Sequence, residues 1–382
     1  MGERIPNYKR AGRIDAIQRE TYAEVDLAAI RHNARYIRQL LPAGTSFMAV
    51  VKADGYGHGG VAVAREALRA GADQLAVAYL SEALELRNCG ITAPILILTP
   101  IAPAEVPLAV KRNLMLTVAS AAWLQQMRAY KPVASAVKLK LHLKLDTGLG
   151  RAGIRERWEW EQMLPLLREA DIAIEGVYTH FATAGQEDTS YMEQQRDRFM
   201  EMAGWVKSSG LAVRRYHSAG SAAALRFPEL AMDMVRIGAA LYGFTPRLLR
   251  ERNLLKPALQ LHSRLIQVKQ VRKGEYIGYD QCYQAEQTEW VGTVPIGYAD
   301  GWNQSLRLTE VLVDGQRAPI IGKICMDQMM IRLPKHYLPG TRVTLIGRQG
   351  QEQVTCAELA QCLGGAAQEI TSSLAARVPR IY

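Results

Sequence analysis

A lysine directly after an apolar run is the first residue of this sequence that could carry covalent chemistry. Lys52 follows the run 46–51 and opens the segment KADGYGHGG (52–60). Apolar surroundings disfavour an ammonium group, so such a lysine can act as an amine nucleophile toward an aldehyde. The glycines after it allow backbone to approach a bulky ligand closely. The alternative is a lysine that only snorkels to solvent at the mouth of a barrel.

Four further segments place polar residues just after an apolar run. They are LKLDTGLGRAG (143–153), THFATA (179–184), HSAGSAAALRFP (217–228) and MVRIGAALYG (234–243). The amides around Gly220 with Ser221, and those of Gly238 and Ala239, suit a phosphate because glycine-rich turns that open into helices present N–H donors to an anion. Similar turns also occur without a ligand.

Short apolar runs that alternate with helical patterns would position these residues. Strands are predicted at 46–51, 74–80, 94–100, 114–120, 137–145, 172–180, 213–218 and 232–240. Repeated strand and helix predicts a parallel sheet, and eight units of this size indicate a closed (β/α)8 barrel. An open doubly wound sheet is the alternative, although no GxGxxG follows the first strand.

The pattern changes after Leu254 to strands without helices between them, with Asp314 and Gly315 as a hairpin turn. We therefore predict a barrel domain over 21–254 and a mostly β domain over 255–382. The segment TYAEVDL (21–27) reads as a strand that could pair with the β domain. Residues 1–20 are predicted to be a flexible tail.

Composition excludes several classes of protein. Hydrophobic residues make up 48% and charged residues 22%, as in globular proteins, and no stretch is long and apolar enough to predict a membrane span. The net charge of +10 comes without a basic cluster interleaved with aromatic residues, so nucleic acid is not the expected partner. Five cysteines without CxxC spacing indicate reduced thiols in the cytoplasm and no metal site.

The motifs taken together resemble the alanine racemases, pyridoxal 5′-phosphate enzymes with a barrel domain and a C-terminal β domain. The resemblance runs from about Thr21 to Tyr382. It rests on VVKADGYGHG, KLDTGLGRAG, THFATA, MVRIGAALYG, the IGYD around Tyr279, VPIGYADGW, ICMDQMM and RVPRIY. The match implies a racemase that interconverts L- and D-alanine and supplies D-alanine for peptidoglycan.

The resemblance implies two bases on opposite faces of one planar adduct. Lys52 would hold the cofactor as an internal aldimine and then act as a base once substrate displaces it. Tyr279 would be the second base, contributed with Met326 by the other subunit of a head-to-tail homodimer. A tyrosine is a weak base at neutral pH, so His180 and Arg236 are expected to stabilise its phenolate.

The resemblance also assigns the binding residues. Arg236 would face the pyridine nitrogen, although an ion pair with Asp233 is the alternative. Arg151 would meet the substrate carboxylate, and Lys144 matches a lysine that is often carbamylated to hold that arginine. The remaining assignments are Tyr56, Ser221, Gly238 and Ala239 for the phosphate, and Tyr298 and Asp327 for the entrance and the substrate carboxylate.

Two positions depart from well-known relatives, and both concern binding. Gly220 stands where they have asparagine, and Ala376 stands where many have a tyrosine that walls the substrate methyl pocket. A missing wall weakens discrimination among small side chains, so serine or broad-specificity racemisation is an alternative function. A non-catalytic pyridoxal-phosphate carrier and a two-domain decarboxylase are further alternatives. The β domain argues against the carrier, and Arg236 argues against the decarboxylase.

Overall fold

The chain forms two compact units in the computed structural model, which describes residues 19–130, 138–252 and 254–382. One unit is Leu27–Pro257, and the other combines the described residues before Leu27 with Ala258–Tyr382. Most of the tail predicted over residues 1–20 lies outside the described residues. Within them, no helix is both long enough and apolar enough to cross a membrane.

The first unit is a barrel of eight parallel strands. Strand β1 (Tyr22–Val25) belongs to the second unit, so the barrel strands are β2 (Ser46–Val50), β3 (Gln74–Val77), β4 (Ile95–Ile97), β5 (Met115–Val118), β6 (Leu139–Lys144), β7 (Ile172–Tyr178), β8 (Tyr216–His217) and β9 (Met234–Ile237). Their order is β8-β7-β6-β5-β4-β3-β2-β9. Gly220 forms a parallel bridge with Arg236, and the Arg236 amide donates to the Ala219 carbonyl at 3.0 Å. These bonds connect the two end strands, so the predicted (β/α)8 barrel is confirmed over the open sheet.

Helices connect and flank the barrel strands. They are α1 (Leu27–Leu40), α2 (Lys52–Tyr56), α3 (Gly60–Arg69), α4 (Leu80–Asn88), α5 (Val106–Lys111), α6 (Ala121–Arg128), α7 (Arg157–Leu167), α8 (Ser190–Ser208) and α9 (Ser221–Arg226). Apolar residues at three- and four-residue steps in α1 and α3 turn one face of each helix inward, as expected for helices that cover a parallel sheet.

The barrel interior has an apolar part and a polar part. Met48, Ala76, Leu96, Met115 and Met234 pack together as a buried cluster on and beside strands β2 to β5. Strands β6 to β9 carry buried polar side chains in addition to their apolar ones: His142, Lys144, Tyr178, His217 and Arg236. Burying polar groups costs free energy unless they are hydrogen-bonded. This part of the barrel is therefore the candidate functional site.

The second unit is mostly β, as predicted. Its further strands are β10 (Leu259–Arg264), β11 (Gln267–Val271), β12 (Glu289–Val294), β13 (Glu310–Val313), β14 (Gln316–Ile321), β15 (Met329–Leu333), β16 (Arg342–Gln349), β17 (Glu352–Val354) and β18 (Arg380–Ile381). Strand β1 pairs antiparallel with β10 and parallel with β18. Two short helices, α10 (Cys356–Leu363) and α11 (Ala367–Ser372), correct the expectation of strands without helices.

The turn between β13 and β14 has the predicted sequence and geometry. Asp314 and Gly315 have φ of 51° and 74°. Two consecutive positive φ angles are typical of the type I′ turn, whose twist matches that of the flanking strands. The Asp-Gly hairpin is therefore confirmed.

Candidate active site

The segment after Lys52 is a left-handed turn. Ala53, Asp54, Gly55 and Tyr56 have φ of 52°, 50°, 61° and 53°. This conformation costs a non-glycine residue roughly 1–2 kcal/mol, so surrounding contacts must stabilise it. The Gly60 amide donates to Asp54 Oδ1 at 2.6 Å. The turn places the Lys52 ammonium 6.0 Å from the centre of the Tyr56 ring.

Glu82 anchors the same turn from helix α4. One carboxylate oxygen accepts from the Ala53 amide at 2.6 Å, and the other accepts from the amides of Ala78 and Tyr79 at 2.7 and 3.0 Å. Glu82 was not among the predicted site residues, although an acidic side chain in the first turn of a helix is a familiar capping signal. Burial lowers the pKa of Lys52, Arg151 lowers it further, and Glu82 opposes them.

Arg236 lies at the centre of the buried polar cluster and is 5% exposed. Its Nη2 donates to the carbonyls of Thr179 and Ser218 at 2.7 and 3.0 Å and to His180 Nδ1 at 3.1 Å. Its Nη1 donates to His217 Nδ1 at 2.7 Å. Every one of these acceptors is neutral, so the buried guanidinium charge is hydrogen-bonded but not compensated.

The alternative of an ion pair between Arg236 and Asp233 is wrong. Asp233 Oδ2 accepts from the Tyr216 amide at 2.7 Å, and within the described residues Arg236 makes no ion pair. Its Nε makes no hydrogen bond to the described part of the chain either. That N–H is the donor left over for a ligand.

Several further cations surround Arg236. Burial and then Arg236 itself lower the pKa of Lys144 to about 7, while burial lowers the pKa of Arg236 to about 10. Arg151 lies close enough to lower the pKa of Lys52, Lys144 and Arg236. At neutral pH Arg236 therefore keeps its charge while Lys144 is partly neutral. The resulting positive field favours an anionic ligand.

The predicted phosphate residues come together at the barrel mouth. Ser221 Oγ accepts from the amides of Gly238 and Ala240 at 3.1 and 3.2 Å. A Cβ on Gly238 would overlap the Tyr56 hydroxyl, so only glycine allows the tyrosine to lie against this backbone. Burial raises the pKa of Tyr56 to about 12, which keeps its hydroxyl as a donor. Hydroxyls and amides grouped in this way can bind a phosphate.

Helix α8 holds the loops that carry Arg151 and His180. The Tyr191 hydroxyl donates to the Gly148 carbonyl at 2.7 Å. The buried Gln195 accepts from the Ala182 amide at 2.8 Å and donates to the His180 carbonyl at 3.3 Å. Tyr191 and Gln195 were not among the predicted site residues because they lie on a helix and not at a strand end.

The other predicted site residues lie together in the second unit. Met326 and Tyr298 are on adjacent segments, because the Tyr298 amide donates to the Cys325 carbonyl and the Ala299 amide donates to the Met326 carbonyl, both at 3.0 Å. Arg377 donates to Asp327 at 2.6 Å and to the buried Asp300 at 2.5 Å.

Tyr279 lies in a neighbouring turn of this unit. The next residue, Asp280, pairs with Lys323, which is close in sequence to Met326. Tyr279 is 66% exposed and Met326 is 53% exposed. Ala376 is exposed and directly precedes Arg377. The predicted residues thus form two groups, each within one unit: a cationic barrel group and an exposed group around Tyr279.

Comparison with known proteins identifies relatives along nearly the whole chain. Residues 25–246 match the family model of the alanine racemase N-terminal domain, and residues 258–382 match that of the alanine racemase C-terminal domain. An alanine racemase of Geobacillus stearothermophilus is 48% identical over 368 residues, which cover 95% of this chain and 94% of the relative.

Solved structures agree with this result. Alanine racemase from Bacillus anthracis with bound L-Ala-P is 44% identical, with a TM-score of 0.93 over 95% of both chains. Histidine racemase from Leuconostoc mesenteroides is 29% identical, with a TM-score of 0.87 over 96% of this chain and 98% of that chain.

We predict that Lys144 makes the stability of the protein depend on pH. Below about pH 7 this lysine is charged in the folded and unfolded chains, whereas between about 7 and its unfolded pKa of 10.5 only the unfolded chain keeps the proton. The free energy of unfolding of wild type should therefore rise with pH relative to Lys144→Met, by up to about 5 kcal/mol. Urea titrations at several pH values in CO2-free buffer measure this difference. Lys140→Met on the same strand is the control, and a flat difference for Lys144→Met would contradict the prediction.

Proposed function

The chain belongs to the alanine racemase family, and on that premise we propose that it interconverts L- and D-alanine with pyridoxal 5′-phosphate bound at the carboxyl end of the barrel. The observation that carries the proposal is the meeting of three features at that end. These are an amine of lowered pKa at Lys52, a phosphate cradle beside it, and the uncompensated charge of Arg236.

The barrel residues fit this cofactor. Tyr56, Ser221 and the Ala239 amide would hold the phosphate, together with the Gly238 amide, which donates to Ser221 Oγ in the structure. The unused Nε–H of Arg236 would meet the ring nitrogen. Lys52 would bind the aldehyde carbon through its amine. When bound, the cofactor supplies a carbonyl that reacts with amines and a conjugated ring that accepts an electron pair from the substrate carbon.

Arg236 would control where the proton returns. A guanidinium can only donate hydrogen bonds and stays protonated, so Arg236 would leave the ring nitrogen of the cofactor without a proton. Negative charge then remains largely on the substrate carbon. This arrangement favours return of the proton to that carbon, which is racemisation, over transamination.

Racemisation needs one proton acceptor on each face of the substrate carbon, because a single base tends to return the proton to the face it left. Lys52 serves one face. We assign the other face to the partner subunit's Tyr279, in a head-to-tail homodimer. The exposure of Tyr279 and Met326 leaves both side chains available to a partner subunit at this surface.

His180 would help Tyr279 act as a base. Because His180 Nδ1 accepts from Arg236, its proton lies on Nε2. Burial and then Arg236 lower the pKa of His180 to about 3, so the ring stays neutral and donates only through Nε2. An N–H donor backed by a guanidinium stabilises a phenolate over a phenol.

Arg151 and the partner's Met326 would bind the substrate carboxylate, with Asp327 and Tyr298 near the entrance. Lys144 would support Arg151. At a pKa of about 7 a large share of Lys144 is the free amine, the form that adds to CO2 to give a carbamate. That modification would turn a buried cation into an anion facing the guanidinium of Arg151.

Serine or broader racemisation is the second candidate function. Ala376 is small and exposed, so nothing at this position closes off a larger side chain. The similarity to a histidine racemase supports the view that this scaffold accommodates different side chains. For alanine as substrate, the D-alanine formed would serve cell-wall peptide synthesis. The five free cysteines support a cytoplasmic location.

We predict that two inactive variants restore activity when they share a dimer. Lys52→Ala and Tyr279→Phe should each lose racemisation. The heterodimer contains one intact site of its two, so after purification it should show about half of wild-type activity, and the randomly assorted mixture about a quarter. Polarimetry of the tagged and purified heterodimer measures the recovery. The double variant Lys52→Ala/Tyr279→Phe paired with wild type is the matched control, because its heterodimer has no intact site. No recovery in the single-variant mixture would place both bases in one subunit and contradict the shared site.

We predict that position 376 sets the choice between alanine and serine. Wild type should racemise serine at a rate measurable beside that for alanine, and Ala376→Tyr should lower kcat/KM for serine relative to alanine by about tenfold or more. Chiral chromatography of both substrates measures the ratio. Ala376→Phe restores the ring without the hydroxyl and separates volume from hydrogen bonding. Negligible serine turnover by wild type would refute the broader specificity.

A further inference from the structure

Two buried histidines extend the hydrogen bonding of Arg236 across the barrel interior. His217 Nδ1 accepts from Arg236 at 2.7 Å, and His217 Nε2 lies 3.0 Å from His142 Nδ1. Arg236, His217 and His142 lie on strands β9, β8 and β6. We call these three residues the histidine string. Neither histidine is among the residues assigned a role above.

The string has a fixed direction. A guanidinium has no acceptor, so His217 must accept on Nδ1 and carry its proton on Nε2. That proton is donated to Nδ1 of His142, which must then carry its own proton on Nε2. In the described structure His142 Nε2 is buried without a hydrogen-bond partner, so the string ends there. One permanent charge therefore determines the tautomers of two imidazoles.

The barrel makes room for this contact at a specific glycine. A Cβ on Gly176, in the intervening strand β7, would overlap His142 Nδ1 and come within 3.0 Å of His217 Nε2. Tyr178 on the same strand stacks on His217 with ring centres 4.9 Å apart and planes 3° apart. Its hydroxyl lies 2.9 Å from Thr117 Oγ1, which fixes the ring. Gly176 thus leaves room for the contact between the two imidazoles, and Tyr178 holds His217 by stacking on it.

We propose that His217 and His142 are positioning residues for Arg236: the histidine string holds Nη1 and thereby presents Nε to the ring nitrogen of the cofactor. The role of Nε rests on the proposed function. With Nη1 and Nη2 both bonded to protein, Nε is the guanidinium donor that remains. Without the His217 acceptor, the guanidinium would turn toward other acceptors and Nε would move with it.

The charges around the string agree with this role. Burial, then Arg236 and Arg215, lower the pKa of His142 to about 3. Burial, then Arg236, His142, Lys144 and Arg215, lower the pKa of His217 well below its ordinary value. Both imidazoles are therefore neutral at the pH of the cell. They can orient Arg236 without adding a second positive charge beside it.

The direction of the string is tested by histidine-selective NMR on the full-length protein as purified. Long-range correlations between ring protons and ring nitrogens distinguish the two tautomers. His217→Asn and His142→Asn assign the signals. We expect both residues to carry the proton on Nε2 and to stay neutral throughout the range in which a free imidazole titrates. A proton on Nδ1 of either ring, or an imidazolium, would overturn the string. This result does not depend on whether the protein racemises anything.

The positioning role is tested by the partition between racemisation and transamination. In transamination, alanine's amino group and the oxygen of the cofactor aldehyde are exchanged, giving pyruvate and pyridoxamine phosphate. His217→Leu removes the acceptor and should raise pyruvate formed per racemisation about tenfold or more. His217→Asn places Oδ1 where Nδ1 was and should return the ratio to within about twofold of wild type. A merely structural role would lower both reactions together and leave the ratio unchanged, which would refute the proposal.

A second variant covers the case in which His217→Leu fails to fold. Gly176→Ala inserts a methyl group between the two histidines, one step from the guanidinium, and should raise the same ratio. Gly185→Ala is the matched control, because a Cβ there has no neighbour within 4 Å. Equal ratios for the two glycine variants would refute the positioning role. Absence of racemisation by wild type would refute the proposed function and leave the NMR result standing.

Discussion

A buried guanidinium without a carboxylate partner is the constraint on which the rest of the barrel site depends. Taking a charge out of water costs several kcal/mol unless hydrogen bonds replace its hydration. At Arg236 that replacement consists of carbonyls and imidazole nitrogens, all neutral. The charge is therefore stabilised but not cancelled. Burial and then the charge of Arg236 lower the pKa of Lys144, His180 and His142, so the two imidazoles stay neutral and Lys144 is partly neutral at pH 7.

The left-handed turn after Lys52 is a second costly feature at the same end of the barrel. Three non-glycine residues adopt positive φ; Glu82 accepts from the Ala53 amide, and Asp54 accepts from the Gly60 amide beyond the turn. Strain of this kind persists where the surrounding contacts over-determine the conformation, and it is common at functional sites. Here the turn places the Lys52 ammonium 6.0 Å from the centre of the Tyr56 ring. Lys52 and Tyr56 are thereby fixed relative to each other, as the proposed phosphate site requires.

Much of this organisation could be predicted from the sequence, and the exceptions have physical causes. All eight barrel strands were predicted because each is a short apolar run between helical patterns, even β8 with two residues. The polar residues at strand ends were predicted because they directly follow these apolar runs.

The histidine string was missed because its contact depends on β6 and β8 flanking one glycine of β7, a relation that no local sequence pattern shows. Glu82 and Gln195 were missed because each lies on a helix and accepts a hydrogen bond from the backbone of a loop that is distant in sequence. Helices α10 and α11 were missed because they are short and stabilised by packing.

A single spectroscopic measurement tests the proposal that Arg236 meets the ring nitrogen of the bound cofactor and that its uncompensated charge keeps this nitrogen unprotonated. Wild-type protein would be loaded with pyridoxal 5′-phosphate labelled with 15N in the ring. The 15N chemical shift of that ring nitrogen would then be recorded. The structure predicts the shift of an unprotonated pyridine hydrogen-bonded to a donor. The shift of a pyridinium ion at neutral pH would contradict it, because a second cation would then lie against Arg236 with no anion between them.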